Sequence, residues 1–219
     1  MTSPHRLSGV YAITDDELLA AEKLLPAVEQ ALKGGVSVLQ YRSKSNGDAS
    51  KPFALRQQQA AALTRLCHQY QALLLVNDDV DLCQAAGADG VHLGQGDVSL
   101  AEARRRLGPS AVIGITCHNN DDLVEAAQRW GADYIALGRF FRSATKPMAP
   151  AASIEDLKRI RQLTQLPIVA IGGVNADNGR ELITAGADML AVIHYLFSSD
   201  QVQQRAQTLS LLFTHARNQ

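Results

Sequence analysis

The chain lacks the features that would tie it to a membrane, a nucleic acid or an export route. Its 21 lysines and arginines nearly balance 22 aspartates and glutamates, and a net charge of −1 argues against general nucleic-acid binding. No run approaches the roughly 20 apolar residues that a spanning helix needs. Residues 1–10 also lack the apolar stretch of a secretion signal. We therefore expect a cytoplasmic protein with no nucleic-acid or membrane partner.

Cysteine is scarce as well, and its spacing excludes two kinds of site. Cys67, Cys83 and Cys117 are an odd number with no CxxC pair, so neither a disulfide framework nor a zinc site is indicated. No GxGxxG follows the first predicted strand, and no GxSxG is present. We expect all three cysteines to be buried as small apolar residues.

What the chain does have is a regular alternation of short apolar runs and longer amphipathic stretches. Strands are predicted at residues 10–14, 36–41, 72–76, 90–93, 112–116, 134–138, 168–171 and 189–194. Helical patterns between them include residues 18–33, 54–69, 123–130 and 154–164. Such alternation is typical of a parallel sheet with right-handed crossovers.

A repeated glycine favours a closed barrel over an open sheet. Gly34, Gly87, Gly131 and Gly186 each end a helical pattern and precede a strand, at intervals that suit two strand–helix units. We predict a single α/β domain over residues 1–219, a (β/α)8 TIM barrel with a flexible tail at residues 1–8. An open flavodoxin-like or Rossmann sheet is the alternative.

Polar residues concentrate after the predicted strands, where the active sites of such barrels lie. Gln40, Arg42 and Lys44 alternate along the second strand and so share one face. An amide and two cations converging there suit a polyanion, because guanidinium and ammonium groups both bind phosphate oxygens. A solvated strand end is the alternative interpretation.

Two carboxylates follow neighbouring strands beside this cluster. Asp78 and Asp97 suit a Mg²⁺ ion between the protein and a diphosphate, because the metal prefers hard oxygen ligands. Alternatively each begins a turn or caps a helix, and for Asp79 the helix cap is the interpretation we favour.

The end of the chain offers a second anion site. Gly172 and Gly173 follow the seventh strand, and residues 140–147 form a polar loop long enough to fold over a ligand. Phosphates often bind after strands 7 and 8 of this fold, where glycine lets backbone N–H groups approach closely. We expect Asn175 to cap the next helix, and the last helix to begin near residues 198–200. Among the histidines, His92 fits a layer of the barrel interior, whereas His118 and His194 lie at strand ends.

Seven motifs in register resemble the thiamine-phosphate synthase (thiamine-phosphate pyrophosphorylase) family. They are YAITD at 11–15, QYRSK at 40–44, VNDD at 76–79, HLGQGD at 92–97, GITCH at 114–118, Thr145 with Lys146, and IGGV at 171–174. The resemblance runs from the first strand to the last. It implies a transferase of thiamine biosynthesis that joins 4-amino-2-methyl-5-(diphosphooxymethyl)pyrimidine to 4-methyl-5-(2-phosphoethyl)thiazole, or its carboxylated form. The products would be thiamine phosphate and pyrophosphate, with Mg²⁺ assisting dissociative loss of pyrophosphate.

The resemblance also implies roles for individual residues. Arg42, Lys44 and Lys146 would be catalytic, and Asp78 and Asp97 would hold the metal. The pyrimidine diphosphate would be bound by Gln40, Arg42, Lys44, Asn77, Thr116 and Lys146, and the thiazole phosphate by Ser143, Thr145, Gly173, Ile193 and His194. Two features depart from the family pattern: His194 stands where serine is common and Tyr195 where a small residue is usual, and residues 139–142 (RFFR) replace a less basic stretch that contains proline. The sequence leaves the oligomeric state open, with a homodimer as one option.

Three alternatives remain at this point. A thiazole tautomerase on the same barrel would bind a phosphate and use His118 as acid or base, but it has no need of Asn77, Asp78 and Asp97 as a set. A barrel that binds a phosphorylated metabolite without turnover is the second. A sugar-phosphate aldolase is the third, although it would need a lysine inside the barrel, and Lys44 lies at its rim.

Overall fold

The computed structural model describes residues 7–45, 48–142 and 151–216, and within them the chain alternates between strand and helix. The eight principal strands are β1 (Gly9–Ile13), β2 (Val36–Tyr41), β3 (Leu73–Asn77), β4 (Gly90–Leu93), β5 (Val112–His118), β6 (Tyr134–Leu137), β7 (Ile168–Ile171) and β8 (Met189–Val192). A short antiparallel hairpin of Lys44–Ser45 and Asp48–Ala49 follows β2. The predicted strands are confirmed, with ends displaced by two residues or fewer.

The sheet closes on itself, which excludes the open-sheet alternative. Every principal strand is parallel to its neighbours, and β1 pairs with both β2 and β8. Ile13 lies opposite Gln40 on one side of β1, while Ala12 lies opposite Val192 on the other. The predicted (β/α)8 barrel is therefore confirmed, and it brings the first and last loops of the chain together.

Helices surround this barrel. They are α1 (Ala21–Lys33), α2 (Phe53–Gln69), α3 (Val80–Ala86), α4 (Leu100–Leu107), α5 (Asp121–Arg129), α6 (Ile154–Leu163), α7 (Gly179–Thr184), α8 (His194–Phe197) and α9 (Val202–Ala216). The sequence did not predict α8, a single turn directly after β8. The last helix begins at Val202, a little beyond the predicted start near residues 198–200. No helix in the described ranges is long and apolar enough to cross a membrane.

The repeated glycines lie where the chain turns from a helix into β2, β4, β6 or β8. Gly87, at the end of α3, has φ of +61°, and Gly131, after α5, has φ of +76°. This left-handed conformation is costly for residues with a Cβ atom, so glycine ends the helix and lets the next strand begin. The repeat thus marks every second strand, as the sequence predicted.

The core has two layers, one between the barrel and its helices and one inside the barrel. The inner layer contains Tyr11, Leu75, Tyr134 and Met189, all nearly inaccessible to solvent. Burying each large apolar side chain contributes about 1.5–3 kcal/mol. The interior is therefore filled rather than hollow, and open space remains at the carboxyl ends of the strands. All three cysteines are free and buried, as expected.

The amino-terminal end of the described chain packs against the barrel. Leu7 is buried within the inner layer, and the carbonyl of Ser8 accepts a 2.6 Å hydrogen bond from Ser37 Oγ. The flexible tail predicted over residues 1–8 stays a prediction, and these two contacts limit how much of it can be free of the barrel. Residues 1–6 lie outside the described residues.

Candidate active site

A cavity of about 430 Å³ opens at the carboxyl ends of the barrel strands. The polar and charged side chains that line it are Gln40, Arg42, Asn77, Asp78, His92, Thr116, His118, Arg139, Arg142, Asn175, His194, Tyr195 and Ser198. They follow strands on both sides of the barrel, so one cavity joins the two regions that the sequence singled out.

The residues at the end of β2 and just after it only partly follow the alternation predicted for Gln40, Arg42 and Lys44. Gln40 is buried inside the barrel, and Arg42 lines the cavity beside it. The strand ends at Tyr41, so Lys44 belongs to the hairpin and not to the barrel wall. Its ammonium nonetheless reaches Asp78, with Nζ 2.5 Å from Oδ2. Gln40 and Arg42 therefore line the cavity directly, whereas Lys44 lines a neighbouring pocket and meets the cavity wall at Asp78.

Hydrogen bonds join the loop after β1 to the loop after β2 at Arg42. The backbone N–H of Arg42 donates to Thr14 Oγ1 over 2.9 Å, and the Thr14 hydroxyl donates to the Arg42 carbonyl over 3.2 Å. Asp15 accepts from one guanidinium nitrogen at 3.3 Å. Because this pairing occupies one arm of the guanidinium, it fixes the side chain while leaving other N–H groups for a ligand.

Asp78 has an unusual backbone that is held in place by the barrel. Its φ is +61°, and its N–H donates to the carbonyl of His92 at 2.8 Å. Asn77 Nδ2 donates to its carboxylate at 2.7 Å. Burial is the largest influence on the pKa of Asp78 and would raise it. Hydrogen bonds with the Lys44 ammonium and the Asp97 carboxyl, together with the positive charge of Lys44, outweigh burial and hold the pKa below its usual value. Asp78 is therefore an ionised carboxylate at neutral pH.

Asp97 lies beside Asp78, close enough for each carboxyl to shift the pKa of the other. Burial and the facing carboxyl of Asp78 raise the pKa of Asp97. Its Oδ2 also accepts from the Gly94 N–H at 2.7 Å, so the turn interpretation and the metal interpretation are compatible. Two carboxyls brought together in this way fit a divalent cation, because the ion would replace their repulsion by attraction. Within the described residues no group of three or more metal-binding side chains of His, Cys, Asp or Glu occurs.

Asp79 takes the role predicted for it. Its Oδ1 accepts from the Leu82 N–H at 2.9 Å and caps α3, while its other oxygen pairs with Arg56 at 2.8 Å. Asp78 therefore faces Lys44, whereas the adjacent Asp79 caps α3.

The opposite side of the cavity is built from backbone. Gly172 and Gly173 have φ of +102° and +64° and lie against the segment that follows β6. A Cβ atom on Gly172 would come within 2.3 Å of Arg139 Cβ, and one on Gly173 within 2.5 Å of the Arg142 carbonyl. Only glycine permits this approach. Ile193 and His194 complete this side, where α8 begins.

Two arginines at this end were missed as candidate site residues. Arg139 and Arg142 both line the cavity, and neither forms an ion pair within the described part of the chain. The Nε atom of Arg139 is buried with no hydrogen-bond partner there. An uncompensated buried donor is costly, so an anion in the cavity would satisfy it. The signal was present in the basic RFFR run at 139–142.

The floor of the cavity is a chain of hydrogen bonds through the barrel interior. Gln40 Nε2 lies 2.8 Å from Tyr11 OH, which lies 2.9 Å from Tyr134 OH. Tyr134 OH lies 2.8 Å from His92 Nδ1, and His92 Nε2 lies 2.9 Å from Thr116 Oγ1. His92 is thus a layer residue, as predicted, and it also lines the cavity. The two tyrosines were missed, because a tyrosine within an apolar strand resembles any other core residue.

Some of the predicted site residues are outside the described residues, and one has a role other than the predicted one. Ser143, Thr145 and Lys146 fall in the range 143–150, outside the described residues. Asn175 was predicted to cap a helix, but α7 begins after Asn178. Asn175 instead accepts from the N–H groups of Asp177 and Asn178 at 2.8 and 3.1 Å, because it closes a turn just before the helix.

Comparison with known proteins gives one consistent result. The family model described as "Thiamine monophosphate synthase" matches residues 10–196. A thiamine-phosphate synthase from Alcanivorax borkumensis is 49% identical over 217 residues, covering 98% of each chain. One from Saccharophagus degradans is 47% identical over 216 residues, covering 98% of this chain and 97% of that one.

Solved structures agree. A thiamine phosphate pyrophosphorylase from Pyrococcus furiosus superposes with a TM-score of 0.86 at 30% identity, covering 97% of this chain and 98% of that one. The matched region spans all eight strands described above. The chain therefore belongs to the thiamine monophosphate synthase family.

Proposed function

We propose that this chain is a thiamine-phosphate synthase. It joins 4-amino-2-methyl-5-(diphosphooxymethyl)pyrimidine to 4-methyl-5-(2-phosphoethyl)thiazole, or its carboxylated form, giving thiamine phosphate and pyrophosphate. Family membership and the names of relatives at 47–49% identity support this assignment. The observation that carries it is a single cavity lined by Arg42, Asn77 and Asp78 at one end and by Arg139 and Arg142 at the other.

The end formed by the loops after β2, β3 and β4 suits the diphosphate. Arg42 and Lys44 supply positive charge, and Asn77 supplies an amide. Asp78 and Asp97 would hold Mg²⁺, which when bound neutralises charge on the diphosphate and assists its departure. Lys146 joins this group on the strength of the family motif alone.

The end formed by the loops after β6, β7 and β8 suits the thiazole phosphate. Gly173, Ile193 and His194 line the cavity there, and Arg139 and Arg142 add positive charge. A main-chain contact does not depend on the side chain, so His194 replaces the usual serine without loss of such a contact. Ser143 and Thr145 are assigned to the same substrate from the motif.

The reaction requires charge stabilisation more than acid–base chemistry. The bond between the exocyclic methylene carbon and the diphosphate oxygen breaks, and its electron pair leaves with pyrophosphate. The amino group of the pyrimidine stabilises the carbocation that remains. The lone pair of the thiazole nitrogen then forms the new C–N bond. Arg42, Lys44 and Lys146 stabilise the leaving group, and the cavity holds the two rings close together.

The decisive experiment is incubation of the protein with both substrates, with and without Mg²⁺. We expect thiamine phosphate by mass spectrometry, and one pyrophosphate released per product, only when Mg²⁺ is present. Conversion of a thiazole phosphate without the pyrimidine substrate would instead identify a tautomerase. Tight binding with no product would identify a binding protein. A cytoplasmic location stays a prediction from the sequence, and so does the option of a homodimer.

A further inference from the structure

The hydrogen-bonded chain beneath the cavity has a direction that donor and acceptor chemistry determines. Gln40 Nε2 donates to Tyr11 OH, so the Tyr11 proton points to its other neighbour, Tyr134. Tyr134 has then accepted one bond, and its own proton goes to His92 Nδ1. Each hydroxyl carries one proton, so fixing the first bond fixes the others.

The same rule determines where the protons on His92 and Thr116 lie. Because His92 Nδ1 accepts, a neutral imidazole carries its proton on Nε2, which donates to Thr116 Oγ1 at 2.9 Å. The Thr116 hydroxyl has then accepted from His92, and no acceptor for its own proton lies among the described residues, so that proton is left for the cavity. At the other end, the Gln40 amide uses its N–H toward Tyr11, which leaves its oxygen to accept from a ligand.

We propose that Tyr11, Tyr134 and His92 are positioning residues that set which hydrogen-bonding edge of the pyrimidine substrate is accepted. Gln40 presents an acceptor for an exocyclic amino group, and Thr116 presents a donor for a ring nitrogen. An aminopyrimidine carries this complementary pair of groups, whereas a pyrimidine with a carbonyl in place of the amino group has them reversed. The proposal rests on the proposed function and adds how the substrate is selected.

Burial makes the chain suitable for this task. Tyr11 and Tyr134 are fully enclosed, and desolvation raises the pKa of both hydroxyls well above the usual value. Neither ionises at neutral pH, so the two tyrosines contribute oriented hydrogen bonds without charge. The Tyr134 ring is held tightly, since a Cβ on Gly114 would lie 1.9 Å from its Cζ. With the Gln40 amide oriented as it is here, reversing the chain would leave the Tyr11 proton facing an amide N–H, which the enclosed interior disfavours.

The test replaces Tyr134 with phenylalanine, which keeps the ring and removes the hydroxyl. Tyr134→Phe should raise KM for the pyrimidine diphosphate about tenfold, the size expected for losing one oriented hydrogen bond. KM for the thiazole phosphate should stay within about twofold. Tyr41→Phe is the matched control, because Tyr41 is equally buried but donates to Gln59 at 2.7 Å, outside the chain. It should leave both KM values unchanged.

A spectroscopic measurement reads the direction without turnover. Nitrogen-15 NMR of the ligand-free protein should show His92 neutral with the proton on Nε2, assigned by its loss in His92→Gln. In Tyr134→Phe the preference for this tautomer should weaken. Tyr11→Phe is the second variant if Tyr134→Phe does not fold: it keeps the Nε2 proton, yet raises KM for the pyrimidine substrate because Gln40 loses its anchor.

Two results would overturn the proposal. One is a wild-type His92 that carries its proton on Nδ1. The other is an equal rise of both KM values in the tyrosine variants, which would indicate general loosening of the barrel. If the wild type forms no thiamine phosphate, the proposed function fails on its own, while the NMR measurement still decides the direction of the chain.

Discussion

The carboxyl groups of Asp78 and Asp97 face each other although they follow different strands, β3 and β4. Lys44 pairs with Asp78 and compensates one negative charge. Within the described residues no ammonium or guanidinium group forms an ion pair with Asp97, and its pKa is raised, by burial first and by Asp78 second. The pair is therefore unfavourable on its own and favourable around a divalent cation.

Asp97→Asn should separate stability from activity. The amide keeps an oxygen for the Gly94 N–H but removes the repulsion with Asp78, so the metal-free variant should unfold at a higher temperature than the wild type. Mg²⁺-dependent formation of thiamine phosphate should fall about 100-fold, because a metal ligand is lost. Thermal unfolding in a chelating buffer and a product assay measure the two effects. Asp122→Asn, an exposed change on α5, should alter neither; a destabilised Asp97→Asn variant would contradict the proposed repulsion.

Lys44→Met should lower the stability of the fold at neutral pH and change it little at acidic pH. The lowered pKa of Asp78 stabilises the folded state above the carboxyl's unfolded pKa, and this contribution disappears as pH falls through the folded value. Without the ammonium the pKa of Asp78 rises, so the variant should lose about 1 kcal/mol at pH 7 and little at pH 3. Urea unfolding at both pH values tests this. The control is Lys33→Met, which breaks an exposed pair with Glu29; an equal loss at both pH values would rule out an ionic cause.

Lys146→Ala should slow the chemical step itself. By the family motif its ammonium would lie at the departing diphosphate, where one positioned charge is worth about 100-fold or more. Single-turnover measurement with both substrates bound isolates that step from product release. Lys158→Ala, an exposed change on α6, serves as the control. An unchanged single-turnover rate in Lys146→Ala would remove the proposed role.

Arg139→Gln should weaken binding of the thiazole phosphate and leave the pyrimidine substrate unaffected. The buried Nε atom would then no longer require an anion, and loss of a charge-assisted contact should raise KM for the thiazole phosphate about tenfold to 100-fold. Steady-state kinetics with each substrate varied in turn gives the comparison. Arg180→Gln, exposed on α7, should change neither KM. A rise in KM confined to the pyrimidine substrate would contradict the assignment of Arg139 to the thiazole phosphate.

Gly172→Ala should be among the most damaging small changes in the chain. The residue has φ of +102°, and its new Cβ would lie 2.7 Å from Arg139 Cα, so the backbone on one side must move. We expect a loss of about 2 kcal/mol or more together with loss of activity. Gly96→Ala is the matched control, since nothing lies within 4 Å of its added Cβ. Equal stability of the two variants in urea would show that the close approach is not needed.

The sequence predicts the barrel well because its signals are local. A left-handed glycine such as Gly87 ends a helix whatever the rest of the chain does, and the repeat then counts the strands. Polar residues at strand ends, such as Asp78, stand out against apolar runs, and parallel strands bring their carboxyl ends to one face. These features locate the diphosphate end before any coordinates are considered.

The remaining features depend on contacts between distant parts of the chain. The hydroxyls of Tyr11 and Tyr134 are hydrogen-bonded although 123 residues separate them in the sequence, and no local sequence pattern predicts the pair. Lys44 was placed on a strand that ends at Tyr41, because its spacing continues the alternation after the strand has stopped. The lack of a partner at Arg139 Nε is likewise visible only once its surroundings are assembled.

The cavity draws its two ends from different halves of the chain, with the loops after β2 to β4 on one side and those after β6 to β8 on the other. Substitutions in one half therefore need not disturb recognition by the other. We expect an exchange of residues 139–142 alone to alter the end assigned to the thiazole phosphate, whereas an exchange that extends to Lys146 would also alter the diphosphate end. The architecture makes this protein a natural starting point for engineering new nucleophile specificity by loop replacement.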